Sequence, residues 1–358
     1  MDKPNFILLV FLACLTTRIL AQQSDAPAVV APPQVSALAS ATAASRISLD
    51  VVVTGKDGKP AAELEPADFT LLDDNQPRKI LSFRRTVGTV GNKFDPPVEV
   101  IIVLDAVNLP YQAITLQRLQ LEKFLRQNDG HLALPTSILL FSSQGLRVQP
   151  APSKDGNALA AMLDKATGTV RARDLSGGVY SLVEQFQDSF KTFNGIAENE
   201  ARKPGRKVLI WIGPGWPLLT ERFFIQSSES RQNYFKQLVA LSKKLRDARI
   251  TVYNAAPIVG VTWNLYEGYL KPVTGFHKME IGDLALEVMA VHTGGRVLDP
   301  ENDLVGLIND CLSDVGEYYT LTFAPPPAAT ADEYHNLTVH LDLPGLTART
   351  NTGYYNQP

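Results

Sequence analysis

Hydrophobic and polar residues alternate at both ends of the chain. The stretch RISLDVVV carries apolar residues at every second position, namely Ile47, Leu49, Val51 and Val53. The same alternation returns near the C-terminus in HNLTVHLDL, residues 335–343. A period of two is that of a β-strand with one buried face. The pattern therefore predicts half-buried strands at both ends of the chain.

In the middle of the chain, nearly continuous apolar runs replace this alternation. The runs VEVIIVLD, TSILLFSS and RKVLIWIG are typical of strands that are covered on both faces. Segments with helical spacing follow them, among them residues 176–190 and 234–245. Residues 111–127 carry one shared apolar face at Ile114, Leu121, Phe124 and Leu125. Alternating strands and helices over residues 97–315 predict an α/β domain with a doubly wound, mostly parallel sheet.

The two amphipathic segments are each too short to form an independent stable sheet. The termini of a domain usually lie close together. We therefore predict a small β-sandwich-like domain built from residues 46–92 and 316–358, with the α/β domain of residues 97–315 inserted between them. Residues 22–45 are rich in Ala, Pro and Ser, which predicts a disordered linker.

The first residues have the pattern of an export signal. Lys3 precedes the apolar run FILLVFLAC, which is too short to span a bilayer. We predict a signal peptide over residues 1–21 and a periplasmic or secreted protein. A lipoprotein signal is the alternative, and it would attach the chain to a membrane only through a lipid on Cys14. Without Cys14, Cys311 is the single remaining cysteine.

Composition and motifs narrow the possible functions. The net charge is -3, which gives no electrostatic basis for binding nucleic acid. No zinc-protease, phosphate-loop or nucleophile-elbow motif occurs. His335 and His340 are an odd number of positions apart, so they are predicted on opposite faces of a strand. Both are expected at the surface. Asp73 and Asp74 are expected in a solvated turn. We predict no catalytic residue, no metal and no small-molecule cofactor.

Three stretches carry a family resemblance: LDVVVTGKDGKPAAELEPADFTLLDDNQPRKILSF, HTGGRVLDPENDLVGLINDCLSDVGEYYTLTFAPP and LPGLTARTNTGYY. They resemble the VWFA-related proteins abundant in Acidobacteria, and the resemblance covers residues 46–355 in order. It implies an exported chain with a von Willebrand factor type A-like domain. Such domains usually bind proteins, often through a divalent cation at the carboxyl edge of the sheet.

The implied cation site takes its ligands from three loops. The first loop has the pattern D-x-S-x-S; Asp105 matches it, but Val107 and Leu109 have no side-chain oxygen. The second loop normally supplies a threonine, for which Ser176 is the candidate. The third normally supplies an aspartate, where this chain has Gly213. Mg²⁺ demands several well-placed oxygens, so we predict a degenerate site without metal.

The same edge remains a candidate for binding a partner. Asp105 is interpreted either as a structural acceptor of hydrogen bonds or as part of a working loop. Trp216 is expected to project from this edge, with packing inside the loop as the alternative. The aromatic segment 264–283 is a second candidate contact. The full candidate edge consists of Asp105, Asn108, Ser176, Gly213, Gly215 and Trp216.

Three functions are compatible with these features. The first is an exported, non-enzymatic protein-interaction module for adhesion or scaffolding. It would bind an unidentified protein partner without a metal. The second is a hydrolase or other enzyme that uses Asp105 and the neighbouring loops. The third is a structural component of an envelope assembly. Because the chain has neither a nucleophile–base motif nor a metal motif, the first function is the main prediction.

Overall fold

A computed structural model of the chain describes residues 46–56, 58–61, 63–87, 98–149, 151–167, 177–220, 226–256, 265–298 and 303–358. The predicted signal peptide, the linker and Cys14 lie outside these residues, as does Ser176. Among the helices that the structure describes, none has the length and hydrophobicity of a bilayer-spanning segment.

Strands and helices alternate through the middle of the described chain. The strands are β1 (Ile47–Thr54), β2 (Phe69–Asp73), β3 (Gln76–Arg78), β4 (Ser82–Val87), β5 (Glu99–Asp105), β6 (His131–Ser142), β7 (Gly145–Val148), β8 (Ser153–Asp155), β9 (Lys207–Ile212), β10 (Ile250–Ala255), β11 (Val297–Leu298), β12 (Glu317–Phe323), β13 (Glu333–Leu341), β14 (Thr347–Arg349) and β15 (Gly353–Asn356). The α-helices are α1 (Tyr111–Leu125), α2 (Gly156–Thr167), α3 (Gly178–Glu200), α4 (Ser228–Asp247), α5 (Leu286–His292) and α6 (Leu304–Gly316). Short 3-10 helices cover Pro66–Asp68, Gln127–Gly130, Glu267–Tyr269, Phe276–Lys278 and Ile281–Leu284.

The central sheet has seven strands in the order β11-β10-β9-β5-β6-β7, with β8 paired to β6. Strands β5, β6, β9, β10 and β11 run parallel, whereas β7 and β8 are antiparallel to β6. The predicted mostly parallel α/β sheet is thus confirmed. The chain order reverses between the neighbours β5 and β9, so this boundary is the topological switch point of a doubly wound sheet.

The central sheet is buried on both faces because its strands feed two hydrophobic layers. Ile101 and Val103 of β5 belong to the same core cluster as Phe193 of α3. Ile102 and Leu104, which point to the opposite face, belong to a second cluster with Leu121 of α1. This explains the unbroken apolar run of β5, since a strand covered on both sides has no polar face.

The two ends of the chain form two further sheets, each of four strands, in the orders β14-β1-β12-β4 and β15-β13-β2-β3. Strand β1 pairs antiparallel with β12, bringing Ile47 opposite Phe323 and Val51 opposite Tyr319. The inward residues of both sheets share one core, which includes Leu49, Phe69, Leu71, Leu321, Phe323, Leu337 and Tyr354. Each sheet therefore combines strands from before and after the central α/β segment.

Some elements differ from the sequence-based expectations. The helical stretch predicted at residues 176–190 continues to Glu200 as α3, because further inward-facing apolar residues such as Phe193 and Ile196 extend its buried face. The aromatic segment is described from residue 265 onward. It contains 3-10 turns and buries Tyr266, Val273 and Met279, so much of it packs against the core.

Candidate functional site

Asp105 lies at the carboxyl end of β5, at the switch point, and its side chain is fully buried. Its Oδ1 accepts hydrogen bonds from the backbone N–H groups of Val107, at 2.9 Å, and Asn108, at 3.0 Å. Its Oδ2 accepts from the side-chain amide of Asn108, at 2.8 Å, and from the indole N–H of Trp211, at 2.9 Å. The carboxylate thus turns the loop back toward β5 and ties it to β9.

These four donors occupy the acceptor positions of the carboxylate, which number about four. Burial raises the pKa of Asp105, while the hydrogen bonds from Asn108, Trp211 and Val107 lower it. A buried carboxylate is costly unless it is hydrogen-bonded, and here the donors supply that compensation. A metal ion at Asp105 would have to displace at least one N–H group, since none of them can turn into an acceptor.

Val107 and Leu109 have no side-chain oxygen for a metal, and their burial anchors the loop. Val107 is packed in the core cluster on one face of the sheet, and Leu109 in the cluster on the other face. Both side chains are almost completely buried. Their burial attaches the loop to the sheet by hydrophobic contact. In the D-x-S-x-S pattern, the same two positions carry serine oxygens instead.

Gly213 permits the end of β9 to pack closely against Asp105. Its φ is +146°, and a Cβ atom added there would stand 2.9 Å from the Cβ of Asp105. The N–H of Gly213 donates to the carbonyl of Ala255 at 3.0 Å, and its own carbonyl accepts from the side chain of Asn254 at 3.0 Å. An aspartate side chain has no room at this position, so the third loop supplies no acidic ligand.

Trp216 corrects one sequence-based expectation, because it does not project from the edge. The side chain is 1% exposed, and its indole N–H donates to the carbonyl of Leu284 at 3.0 Å. Its ring lies 5.6 Å from that of Trp211 and 5.5 Å from that of Phe193. Burial in this aromatic cluster gains more hydrophobic stabilisation than exposure at a loop tip, so Trp216 serves packing within the protein.

Asn108 and Gly215, two further candidate residues that the structure describes, also lie inside the protein. Asn108 donates from its side-chain amide to the hydroxyl of Ser189, at 3.0 Å, and Gly215 is buried beside Glu287. The structure therefore brings Asp105, Asn108 and Gly213 together, with Trp216 connected to them through Trp211. Within the part of the chain that the structure describes, this edge is closed, and no candidate residue presents a side chain to solvent.

Glu287 is a buried acid that sequence reasoning missed. It is fully buried, and neither carboxyl oxygen has a hydrogen bond of normal geometry to a described residue. Burial raises its pKa to about 8, an effect that the nearby Tyr266 hydroxyl opposes. The signal in the sequence was a single acid within the apolar run LALEVMAV. At neutral pH the group is mainly protonated.

A second polar cluster lies in the paired terminal strands, where Asp73 and His335 are both buried. The expectation that they face solvent was wrong. Asp73 accepts from the His335 ring at 2.9 Å, from the Tyr354 hydroxyl at 3.0 Å and from Arg78 at 3.2 Å. His335 and Tyr354 also stack, with ring centroids 4.9 Å apart. Partners 262 residues apart in the chain gave no local signal.

This cluster also contains a possible ligand set for a metal. One ligand atom from each of Asp73, Asp74 and His335 lies within 4.8 Å of the other two. The guanidinium of Arg78 already provides Asp73 with a positive partner, however. A cation placed there would be repelled by Arg78 and would have to replace the hydrogen bond between the His335 ring and Asp73. The arrangement fits a buried polar network better than a metal site.

Strand order and site together define a doubly wound α/β domain whose switch-point loop is held by N–H donors. Solved structures match it at low identity. The manganese-loaded TRAP protein of Plasmodium vivax matches with a TM-score of 0.33 and 12% identity, over 75% of this chain and 95% of that one. Human COPII-coat protein Sec24c matches with a TM-score of 0.34 and 11% identity, over 77% and 46%.

The pilus adhesin SpaC of Lactobacillus rhamnosus GG, in its open conformation, matches with a TM-score of 0.36 and 10% identity, over 85% of this chain and 47% of that one. The chain thus spans about half the length of Sec24c and SpaC. No protein-family model and no curated protein matches the chain.

Proposed function

We propose that the chain is an exported, non-enzymatic protein-interaction module, for adhesion or scaffolding, that works without a metal ion at the Asp105 edge. The main support for metal independence is that the Asp105 carboxylate accepts hydrogen bonds from four N–H donors. A divalent cation requires oxygens that face an open position. Apolar Val107 and Leu109, which replace two of the usual oxygen ligands, support the same conclusion.

Burial of the switch-point residues argues against an enzyme that uses Asp105. A general acid, base or nucleophile must come within hydrogen-bond reach of the substrate. Asp105 is fully enclosed, and its oxygens already bond to the protein. The prediction that Asp105 takes part in catalysis therefore has no support from the geometry of the described residues.

The proposed contact with a partner is the outer face of α1, which begins shortly after the Asp105 loop. Tyr111, Leu116 and Leu119 are 61%, 47% and 50% exposed, respectively. At 100° per residue they fall within an arc of about 140°. We name these three residues the α1 surface. Exposed aromatic and aliphatic side chains grouped on one helix are typical anchors of a protein interface.

The domain arrangement and the export route belong to the same proposal. We place residues 46–92 and 316–358 in one β-sandwich-like domain and residues 97–315 in the inserted α/β domain. The antiparallel pairs β1–β12 and β2–β13 support this division. Residues 1–21, with their charged start and short apolar run, support export.

Site-specific photo-cross-linking would test the interaction. A photoreactive residue replaces Leu116 in the full chain, and the matched control replaces Leu343, which is 41% exposed. After incubation with a surface extract of the producing cells, we expect a single foreign protein to cross-link from position 116 and not from position 343. Tyr111→Ser together with Leu119→Ser should abolish the product, and EDTA should leave it unchanged.

Other results would overturn the proposal. Cross-links only to further copies of the chain would favour a structural assembly over an interaction module. Equal cross-linking from positions 116 and 343 would show that the α1 surface is not a contact. Loss of the product in EDTA would show that a metal is required after all.

A further inference from the structure

A narrow pocket opens where α4 and α5 meet the strands β13 and β15, and no residue of the Asp105 loop lines it. The pocket is small and partly open to solvent. Leu238, Leu245, Val273 and Met289 form its aliphatic wall. A concave site with apolar walls and a few polar groups, placed between helices and the edge of a sheet, has the usual character of a ligand site.

Asp283 is the acidic residue in the lining of this pocket. It is 5% exposed. Its Oδ2 accepts the backbone N–H of Glu280 at 2.7 Å, while no described group donates to its Oδ1 and no described cation pairs with it. Burial raises the pKa of Asp283 to about 7. A cation beside it would restore the charged form, because an opposite charge favours ionisation.

Two tyrosine rings provide the second part of the site. The rings of Tyr334 and Tyr355 lie 5.2 Å apart at an angle of 68°. Their hydroxyls already donate to the carbonyls of Thr352, at 3.4 Å, and Val273, at 3.0 Å. The hydroxyls therefore have no proton left to donate, and these residues offer a ligand the ring faces and an acceptor oxygen. Aromatic faces attract ammonium groups.

The lining contains no positive group that would repel a cation. Its histidine, His292, has its Nδ1 2.6 Å from the Thr352 hydroxyl, and burial lowers the pKa of His292 to about 4. The imidazole is therefore neutral at pH 7. With Glu280 beside Asp283 as a further acid, the charges around the pocket favour a positive ligand.

We propose that this pocket binds an alkylammonium group. The nitrogen lies next to Asp283 and the two tyrosine rings, and the alkyl chain packs against the aliphatic wall. The group is either the side chain of a lysine on a partner protein or a free small amine. The pocket would accept a free amine whether or not the chain binds a protein partner.

Calorimetric titration of the full chain with n-butylammonium chloride tests this site, with n-butanol as the neutral probe of equal shape and sodium chloride at matched ionic strength. We expect butylammonium to bind and butanol not to bind. Asp283→Asn should weaken butylammonium binding by about tenfold or more, because the charge is lost. The asparagine oxygen still accepts the N–H of Glu280, so the local turn is retained.

Asp68→Asn is the matched control. Asp68 has the same role at the 3-10 helix Pro66–Asp68, where its side chain accepts the N–H of Glu65 at 2.7 Å, and it does not line the pocket. This variant should bind butylammonium like the wild type. Proton release gives a second readout, since binding near pH 7 should ionise Asp283 and make the heat depend on the buffer in the wild type but not in Asp283→Asn.

A blocked lysine, N-acetyl-lysine-methylamide, separates the two sources. Binding at least as tight as that of butylammonium identifies a partner's lysine, whereas binding of butylammonium alone identifies a free amine. Three results would overturn the proposal: equal binding of butanol, undiminished binding by a folded Asp283→Asn, or no binding of butylammonium. If Asp283→Asn does not fold, Tyr334→Leu replaces it, and undiminished binding by that variant has the same meaning.

Discussion

At the scale of single residues, Asp105 illustrates how one carboxylate can hold a loop without a metal. Its four donors come from the loop itself and from Trp211, which lies on the neighbouring strand β9. Charge-assisted hydrogen bonds of this kind are stronger than neutral ones. The residue therefore couples the order of the switch-point loop to the pairing of β5 and β9.

Asp105→Asn is expected to destabilise the fold by about 3 kcal/mol. In either orientation of the amide, its NH₂ group faces two of the buried N–H donors, and each unsatisfied donor costs about 1–3 kcal/mol. Chemical denaturation would measure the loss, with Asp342→Asn, which lies at the surface, as the control. The loss should be the same in EDTA and in Mg²⁺.

A metal site at this position would give a different result. With 1 mM Mg²⁺ and an affinity of about 10 µM, binding would add about 2.7 kcal/mol to the stability of the wild type. A wild-type protein that melts at a higher temperature in Mg²⁺ than in EDTA, with the increase abolished by Asp105→Asn, would contradict the structural role of Asp105.

Glu287→Gln is expected to stabilise the protein increasingly as the pH rises. Burial raises the pKa of Glu287 from 4.5 to about 8, so between these values the folded state keeps a proton that the unfolded state has released. Wild-type stability therefore falls as the pH rises through this window, by at most about 1.4 kcal/mol per pH unit. A glutamine at this position does not titrate, so the variant does not lose stability in this way.

The measurement is the difference in unfolding free energy between Glu287→Gln and the wild type. It should grow from pH 5 to pH 8 and then become constant. Glu267→Gln, an exposed change near Tyr266 in sequence, should show no such trend. A difference that does not vary with pH would mean that Glu287 is ionised, or hydrated, throughout this range.

At the scale of elements, α6 and β10 are joined to the terminal strands through buried ion pairs. Asp314, at the end of α6, is 2.7 Å from Arg349 of β14 and 3.4 Å from Arg296, and it accepts the Tyr253 hydroxyl of β10 at 2.9 Å. Asp50 of β1 accepts two hydrogen bonds from Arg249, at 3.0 and 2.6 Å. These contacts connect the parallel sheet to the antiparallel strands.

Asp314→Asn should therefore cost about 3 kcal/mol, since removing one partner of a buried pair leaves charge uncompensated. Asp310→Asn on the same helix, at an exposed position, should change stability by less than about 0.5 kcal/mol. Urea denaturation followed by circular dichroism would compare them. In the double variant with Arg349→Met, part of the loss should be recovered; a fully additive result would contradict direct coupling of Asp314 and Arg349.

At the scale of the whole molecule, the terminal strands depend on each other. β1 lies between β14 and β12, and β2 lies between β13 and β3. A chain that lacks residues 1–92 would lose an inner strand and an edge strand from each four-stranded sheet and expose the core around Leu321 and Leu337. We expect it to unfold at a lower temperature and less cooperatively than a chain that begins at Arg46.

Calorimetry of these two truncated chains would test that dependence. Comparable melting temperatures and equally sharp transitions would show that residues 316–358 need no partner strands from the N-terminal side. The shared β domain proposed for the two ends would then be wrong, although the central parallel sheet would be unaffected.

The sequence by itself determined the features that depend on local periodicity. Apolar runs and alternation located the main strands, and helical spacing located α1 and α4, because side-chain direction repeats with the backbone of each element. The position of Asp105 at a strand end followed from the same pattern. So did the loss of the usual ligand oxygens, since Val107, Leu109 and Gly213 are read directly from the chain.

Only the tertiary structure decided which groups meet across the chain. Trp211 reaches Asp105 over 106 positions, and His335 reaches Asp73 over 262. Trp216 is buried because neighbouring elements supply an aromatic cluster for it, and Asp283 lines a pocket formed by five separate elements. Such contacts have no period along the sequence; they arise because the order of strands in the sheets brings distant residues together.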